Sequence, residues 1–193
     1  MERFYIADLH FGHENCLSFD HRPFDTIEEH DEELIRRWNS VVGDGDEVWI
    51  LGDLSWITPP KTVEIIDRLN GVKNLIVGNH DKKIIRHAAC ASRFEEITPY
   101  KELHISKGFG IVLCHYPIPC FNRHFGGWYH LYGHVHMTRE WEMTEESRRE
   151  FERDGKRCNM INVGCMLPYM DYTPKTFEQI AQGYEEYRNK TDQ

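Results

Sequence analysis

The sequence predicts one α/β domain whose core strands run parallel. Three observations predict it. In the first half of the chain, short apolar runs alternate with stretches of helical periodicity in the order strand, helix, strand, helix, strand. Each run empties into residues that can hold a metal or a phosphate, and in parallel sheets ligands bind beyond the carboxyl ends of the strands. The chain, 193 residues and 40% apolar, is long enough to bury one sizeable core and shows no repeat or linker.

The first run, 4–7, ends in Asp8-Leu9-His10-Phe11-Gly12-His13. A polar loop follows through Arg22-Pro23-Phe24. Thr26 with Glu29 three residues on is a capping box, and Leu34, Ile35, Trp38, Val41 and Val42 form the apolar face of the helix it opens. The run 47–51 leads to Gly52-Asp53. Thr58 and Pro59 start a second helix, Val63, Ile65, Ile66 and Leu69 face inward, and Gly71 ends it. The third run, 75–77, delivers Gly78-Asn79-His80-Asp81, an amide, an imidazole and a carboxylate on one tight turn. Gly78 there is read as a residue that admits a backbone conformation others resist.

The second half changes character. Runs at 94–97, 103–105 and 110–114 read as shorter strands, with Lys107-Gly108 as the hairpin turn between the last two. The third of them ends in His115-Tyr116-Pro117. The run 128–132 leads to Gly133-His134-Val135-His136, where alternation in a strand would aim both imidazoles to one face. From 138 to 158, thirteen of twenty-one residues are charged, which predicts a solvated helix or flap with Thr144 as its cap. A last strand is expected at 160–163, a C-terminal helix opened by Thr173-Pro174 from about 174 to 187, and a frayed tail over 189–193.

The formal charge of −9 leaves no broad basic face, so stable binding to duplex nucleic acid is not expected. A small phosphate substrate stays open, because bound cations would invert the local field. The six cysteines are scattered, no run reaches the length of a membrane span, and Met1-Glu2-Arg3 passes directly into the first strand and Asp8. A cytoplasmic protein with reduced thiols is expected.

Oxygen and imidazole donors without thiolate suit Mn²⁺, Fe²⁺ or Zn²⁺, and seven candidates exceed what one four-coordinate ion needs. The ordered set Asp8-x-His10, Gly52-Asp53, Gly78-Asn79-His80-Asp81, His115 and Gly133-His134-x-His136 resembles the calcineurin-like metallophosphoesterase family across nearly the whole chain. Further, His10-Phe11-Gly12-His13-Glu14-Asn15, Arg22-Pro23-Phe24, Asn162-Val163-Gly164 and Tyr172-Thr173-Pro174 are similar to a subgroup of small bacterial and phage phosphoesterases. The resemblance implies a sandwich of two mixed β-sheets flanked by α-helices over 1–193, with a two-metal site at one edge. It implies Asp8, His10, Asp53 and His136 as ligands of one ion, and Asp53 (bridging), Asn79, His115 and His134 of the other. Mn²⁺ is the expected metal, with Fe or Zn compatible. The implied reaction is hydrolysis of a phosphate ester by a bridging hydroxide attacking phosphorus in line, with His80 assisting the leaving group and Asp81 orienting His80.

Many relatives carry an arginine after Gly-Asn-His-Asp; here Lys82-Lys83 follow, which leaves open which cation meets the phosphate. His13, Asn79 and His80 are the candidate substrate contacts. His30, His87 and His104 are read as surface residues, and His21, His124 and the Asn122-Arg123 loop as uninformative. A small phosphodiester or nucleotide-type substrate is preferred to a phosphomonoester. The charged stretch leaves room for a cap over the site or a homo-oligomer contact. A non-catalytic binding module would be expected to lose some of these residues, and a structural zinc protein would favour cysteine ligands.

Overall fold

The computed structural model describes residues 1–156 and 158–191, so Arg157 of the charged stretch and the expected tail at 192–193 lie outside it. The predicted apolar runs form β1 (Arg3–Ile6), β2 (Glu47–Ile50) and β3 (Val72–Ile76), parallel and in the order β3-β2-β1. Between them stand α1 (Asn15–Phe19), α2 (Ile27–Val41) and α3 (Pro59–Ile66). Thr26 caps α2 by accepting from the Glu29 amide at 3.1 Å, while the Glu29 carboxylate reaches one residue further back, to the Asp25 amide. Trp38, buried on the α2 face, donates its indole N–H to the Asn70 carbonyl. Val41, expected to face inward, is exposed. The short helices α4 (Lys82–Arg86) and α5 (Ala88–Ala91) lead to β4 (Glu96–Thr98), parallel to β3.

After Pro99 the chain crosses to a second sheet. The hairpin of β5 (Tyr100–Ser106) and β6 (Phe109–Cys114) turns on Gly108, whose φ of +84° is open to glycine. β7 (Tyr129–Tyr132) and β8 (Met160–Asn162) then add in parallel, giving the order β5-β6-β7-β8. α6 (Arg139–Arg153) lies between them in sequence. Its cap is Thr138, not Thr144. Thr144 is buried inside the helix, where its hydroxyl donates to the Glu140 carbonyl. The helix packs an inward face: Trp141 stacks on Tyr187 at 5.8 Å, and Glu145 accepts from the Tyr184 hydroxyl.

The C-terminal helix also starts and ends later than expected, running on through residues 189–191 of the expected tail. Lys175–Thr176 forms β9, antiparallel to β1, and α7 runs Phe177–Thr191. The cause is a second capping box: the Gln179 amide donates to the Thr176 hydroxyl, and the Gln179 side chain accepts from the Thr176 amide. The molecule is a mixed α/β domain of two mixed sheets flanked by helices. Among the described residues no helix is long and apolar enough to cross a membrane.

The sheets are joined where the site lies. Ala7, just past β1, donates to the Val163 carbonyl and accepts from the Cys165 amide, both at 2.9 Å. The carboxyl ends of β1, β2 and β3 therefore meet those of β6, β7 and β8 at one edge.

Within the second sheet, buried His130 lies between the carbonyls of Val112 and Tyr116, each at 3.1 Å. Burial is the dominant influence on this imidazole and holds its pKa down to about 4, although both carbonyls favour the charged form. The unfolded chain would bind this proton near pH 6.5, so stability is lost as pH falls below that value. The loss expected between pH 6.5 and about 4 is on the order of 3 kcal/mol. Urea titrations of wild type and His130→Gln across that range would check it: the variant should lose that part of the pH slope.

Candidate metal centre

At the shared edge, donor atoms from two sequence-distant sets converge. Asp8, His10 and His136 form one group and Asp53, His115 and His134 another, each with its donor atoms within 4.8 Å of one another. Asp53 links the two groups. Its Oδ2 lies 3.7 Å from His10 Nε2 and 3.6 Å from His115 Nε2, and 3.9 Å from His80 Nε2. Asn79 Oδ1 is 3.0 Å from His115 Nε2. The structure thus brings all seven candidate ligands and His80 to one place.

Local backbone explains how loops this short deliver so many side chains. Asp8, His10, Asp53, His134 and His136 all have φ between +47° and +73°. Outside glycine that conformation is uncommon and clusters at functional sites. It also corrects one expectation. His134 and His136 do not alternate along a strand; they sit on a left-handed turn after β7 and point to different groups. Gly78 is needed for a different reason from the one expected. Its φ is not positive, but a Cβ there would meet Asp53 Oδ1 and the Asp53 amide.

The donors are held with lone pairs exposed. His115 donates through Nδ1 to the Leu51 carbonyl at 2.7 Å, which turns Nε2 toward two oxygens, Asn79 Oδ1 and Asp53 Oδ2. His136 donates through Nδ1 to the Asp20 carboxylate at 2.9 Å. Buried His10 Nε2 has no hydrogen-bond partner among the described residues. Oxygen and imidazole donors converging on one place fit a cation, and an imidazole fixed through its other nitrogen is the usual arrangement of a metal ligand.

Ionisation follows burial. Burial, then the neighbouring imidazolium of His136, holds His10 well below the ordinary imidazole value. His134 is lowered by burial and by His115. His136 is raised: burial opposes its charge, but Asp8 and Asp20 outweigh it. Burial pushes the Asp8 and Asp81 carboxyls up.

Asp81 does not orient His80 as expected. Its oxygens accept from the backbone amides of Gly78, Asp53 and Leu54, at 2.8, 3.0 and 3.0 Å. It ties the β2 and β3 loops together; the His80 amide in turn donates to Asp53 Oδ1 at 3.0 Å. His13 is half-buried, with Nδ1 3.0 Å from His10 Nδ1. The Asn122-Arg123 loop is engaged elsewhere, Asn122 with Glu102 and Arg123 over Trp128.

The largest departure is His30, expected at the surface and fully buried. It lies 2.8 Å from Asp31 and 2.9 Å from Arg22. Arg22, also buried, donates to the carbonyls of Asp8 and Leu9 and to Asp20, which holds His136. A buried chain His30–Arg22–Asp20–His136 therefore braces the Asp8 group. Helical spacing carried the signal, since His30, Leu34 and Trp38 stand four apart on the buried face of α2.

A model of the calcineurin-like phosphoesterases matches residues 4–184. The chain belongs to this family. Among relatives, the uncharacterized protein MJ1445 of Methanocaldococcus jannaschii is 36% identical over 141 residues, 72% of each chain. The gene 66 protein of Mycobacterium phage L5 is 40% identical over 80 residues, covering 40% of this chain and 38% of its own. The crystal structure of the protein of unknown function AQ665 from Aquifex aeolicus shares the fold, with a TM-score of 0.61 over 93% of this chain and 97% of that one at 23% identity. Family membership and the two donor groups together identify a metal-dependent phosphoesterase.

Asp20→Asn keeps the shape of the side chain but removes the charge that holds His136. Losses from such changes behind a ligand run about 10–100-fold in metal affinity. Calorimetric titration should show that loss for an ion held at the Asp8 group, with binding at the Asp53 group as in wild type.

Proposed function

We propose that the chain is a binuclear hydrolase of phosphate esters that acts on small or nucleotide-type phosphodiesters. The observation that carries this reading is the position of Asp53 Oδ2 between His10 Nε2 and His115 Nε2, at nearly equal distances. One carboxylate placed that way can serve both groups. Asp8, His10, Asp53 and His136 would hold one divalent ion, and Asp53, Asn79, His115 and His134 the other. Mn²⁺ is the ion proposed, and Fe or Zn is also compatible with this mixture of oxygen and imidazole donors. Two such ions, when bound, neutralise the phosphate and supply an activated water.

The residues around the ions do the rest. Asn79 and His80, from the turn after β3, present an amide and an imidazole to the phosphate. His80 is partly exposed, and its Nε2 comes no closer than 3.9 Å to Asp53 Oδ2, which leaves that nitrogen free to serve the leaving oxygen. Asp81 keeps that turn against the Asp53 loop, so the donor and the bridging carboxylate hold register. A diester is favoured over a monoester by charge. The buried Arg22 directs its donors at Asp20, His30 and two carbonyls, and Lys82 and Lys83 sit on the exposed turn of α4. A monoester dianion would require a further cation at the phosphate.

The test is hydrolysis of bis-p-nitrophenyl phosphate and p-nitrophenyl phosphate by metal-stripped protein with Mn²⁺ restored. Metal-dependent release from the diester supports the reading; release from the monoester alone makes the protein a phosphatase on the same site. Two substitutions assign the roles. Asp53→Asn should weaken both ions together in a calorimetric titration, and loss of one ion alone would remove the bridge. His80→Ala should keep both ions and lower turnover by about 10²–10⁴-fold; unchanged turnover would remove His80 from the reaction.

A further inference from the structure

Four of the five tryptophans are buried, and the fifth stands at the metal centre. Trp56, three residues after Asp53, is 45% exposed. Its backbone is tied down: its amide donates to the Phe11 carbonyl at 2.9 Å, and Ser55 and Phe11 bridge the loops after β2 and β1. The indole lies nearly parallel to the His13 ring, at 8° and 4.2 Å, and against the His80 ring at 4.3 Å. Phe19, 47% exposed, continues the row at 5.6 Å from His13 and 5.5 Å from His136. A contiguous aromatic wall therefore runs from His80 through Trp56, His13 and Phe19 to His136.

Single exposed apolar side chains are ordinary. A contiguous set beside converging ligand atoms marks a binding surface. Its chemistry selects the partner. An indole backed on one face by His13 and still 45% exposed can hold another flat ring, and aromatic stacking accepts any base because every base has a π-face. The charge of −9 disfavours a long polyanion. On the reaction proposed above, the leaving oxygen departs toward His80, so the wall's Trp56 end meets the group attached there.

We propose that Trp56, backed by His13 with Phe19 beyond it, is a stacking platform that selects phosphate esters carrying a planar ring, a nucleobase or an aryl group. This rests on the phosphoesterase reading and adds the substrate class to it.

The test compares wild type, Trp56→Ala and Trp56→Phe, all loaded with Mn²⁺. The substrates are thymidine 5′-p-nitrophenyl phosphate, bis-p-nitrophenyl phosphate and the ring-free glycerophosphocholine. Trp56→Ala should lose about tenfold or more in kcat/KM on a ring-bearing ester relative to its change on glycerophosphocholine, chiefly through KM. Trp56→Phe should recover most of it. Loss confined to the nucleotide ester identifies a base, and loss on the aryl ester a ring next to phosphorus. Equal loss on all three esters would show that Trp56 only supports His80 and would overturn the proposal. A second readout needs no turnover. The Trp56 indole N–H resonance, assigned by its absence from Trp56→Ala, should shift on addition of AMP and hold still with glycerol 3-phosphate; equal response to both would also overturn it. If wild type hydrolyses no ester with both ions bound, the reaction reading fails and the resonance shift alone decides this one.

Discussion

Donor atoms at the sheet edge are held there by backbone that would not adopt its conformation unaided. Asp8, His10, Asp53, His134 and His136 all sit in the left-handed region, where a non-glycine residue costs roughly 1–2 kcal/mol. They also place carboxylates and imidazole lone pairs face to face in a buried setting, a second unfavourable arrangement. What offsets this is polar and local. Asp81 gathers three amides, Arg22 gathers two carbonyls, and the His134 amide donates to the Asp8 carboxylate at 3.0 Å. Space matters as much as bonding: a Cβ on Gly133 would lie 2.7 Å from Ala7 Cβ, so the β7 turn approaches β1 only with glycine there.

Much of this was legible in the sequence because the chemistry sits in the side chains that end apolar runs. Asp8-x-His10, Gly52-Asp53, Asn79-His80 and His134-x-His136 each announce themselves, and period and capping located the parallel half of the fold. What was not legible depends on direction and burial. His134-x-His136 suggested a strand, and only the left-handed turn sends the two rings to different groups. A carboxylate beside a histidine suggested orientation of that histidine, whereas Asp81 faces the other way, into backbone amides. His30 was classed with surface histidines although its spacing from Leu34 and Trp38 placed it inside. β9 was hidden by its length, because two residues carry no periodicity.

The aromatic wall was illegible for a related reason. His13 and Phe19 follow β1 and Trp56 follows β2, more than thirty residues on, and tryptophan in a loop ordinarily reads as core. Only the Ser55–Phe11 bridge between loops lines them up. The bridge also gives the wall its rigidity, since both loops leave strands that are hydrogen-bonded neighbours in the parallel sheet.

The two donor groups, alike in composition, are supported by different physics. His115 is fixed by a backbone carbonyl of the β2 strand end, an uncharged anchor that does not titrate. His136 is fixed by Asp20, whose charge depends on Arg22, which is in turn bonded to His30. Burial alone would raise the Asp20 carboxyl; His136 and Arg22 bring it below the usual value instead. The Asp8 group is therefore held by a chain of hydrogen bonds and buried charges, while the His115 group is held by the sheet itself. A change in any one of His30, Arg22 or Asp20 reaches the same pair of side chains, Asp8 and His136, although none of the three stands among the candidate ligands. Asp53 joins the groups, with one oxygen toward both and the other bound by the His80 amide. That single carboxylate couples the rigid half of the centre to the half that depends on buried charge.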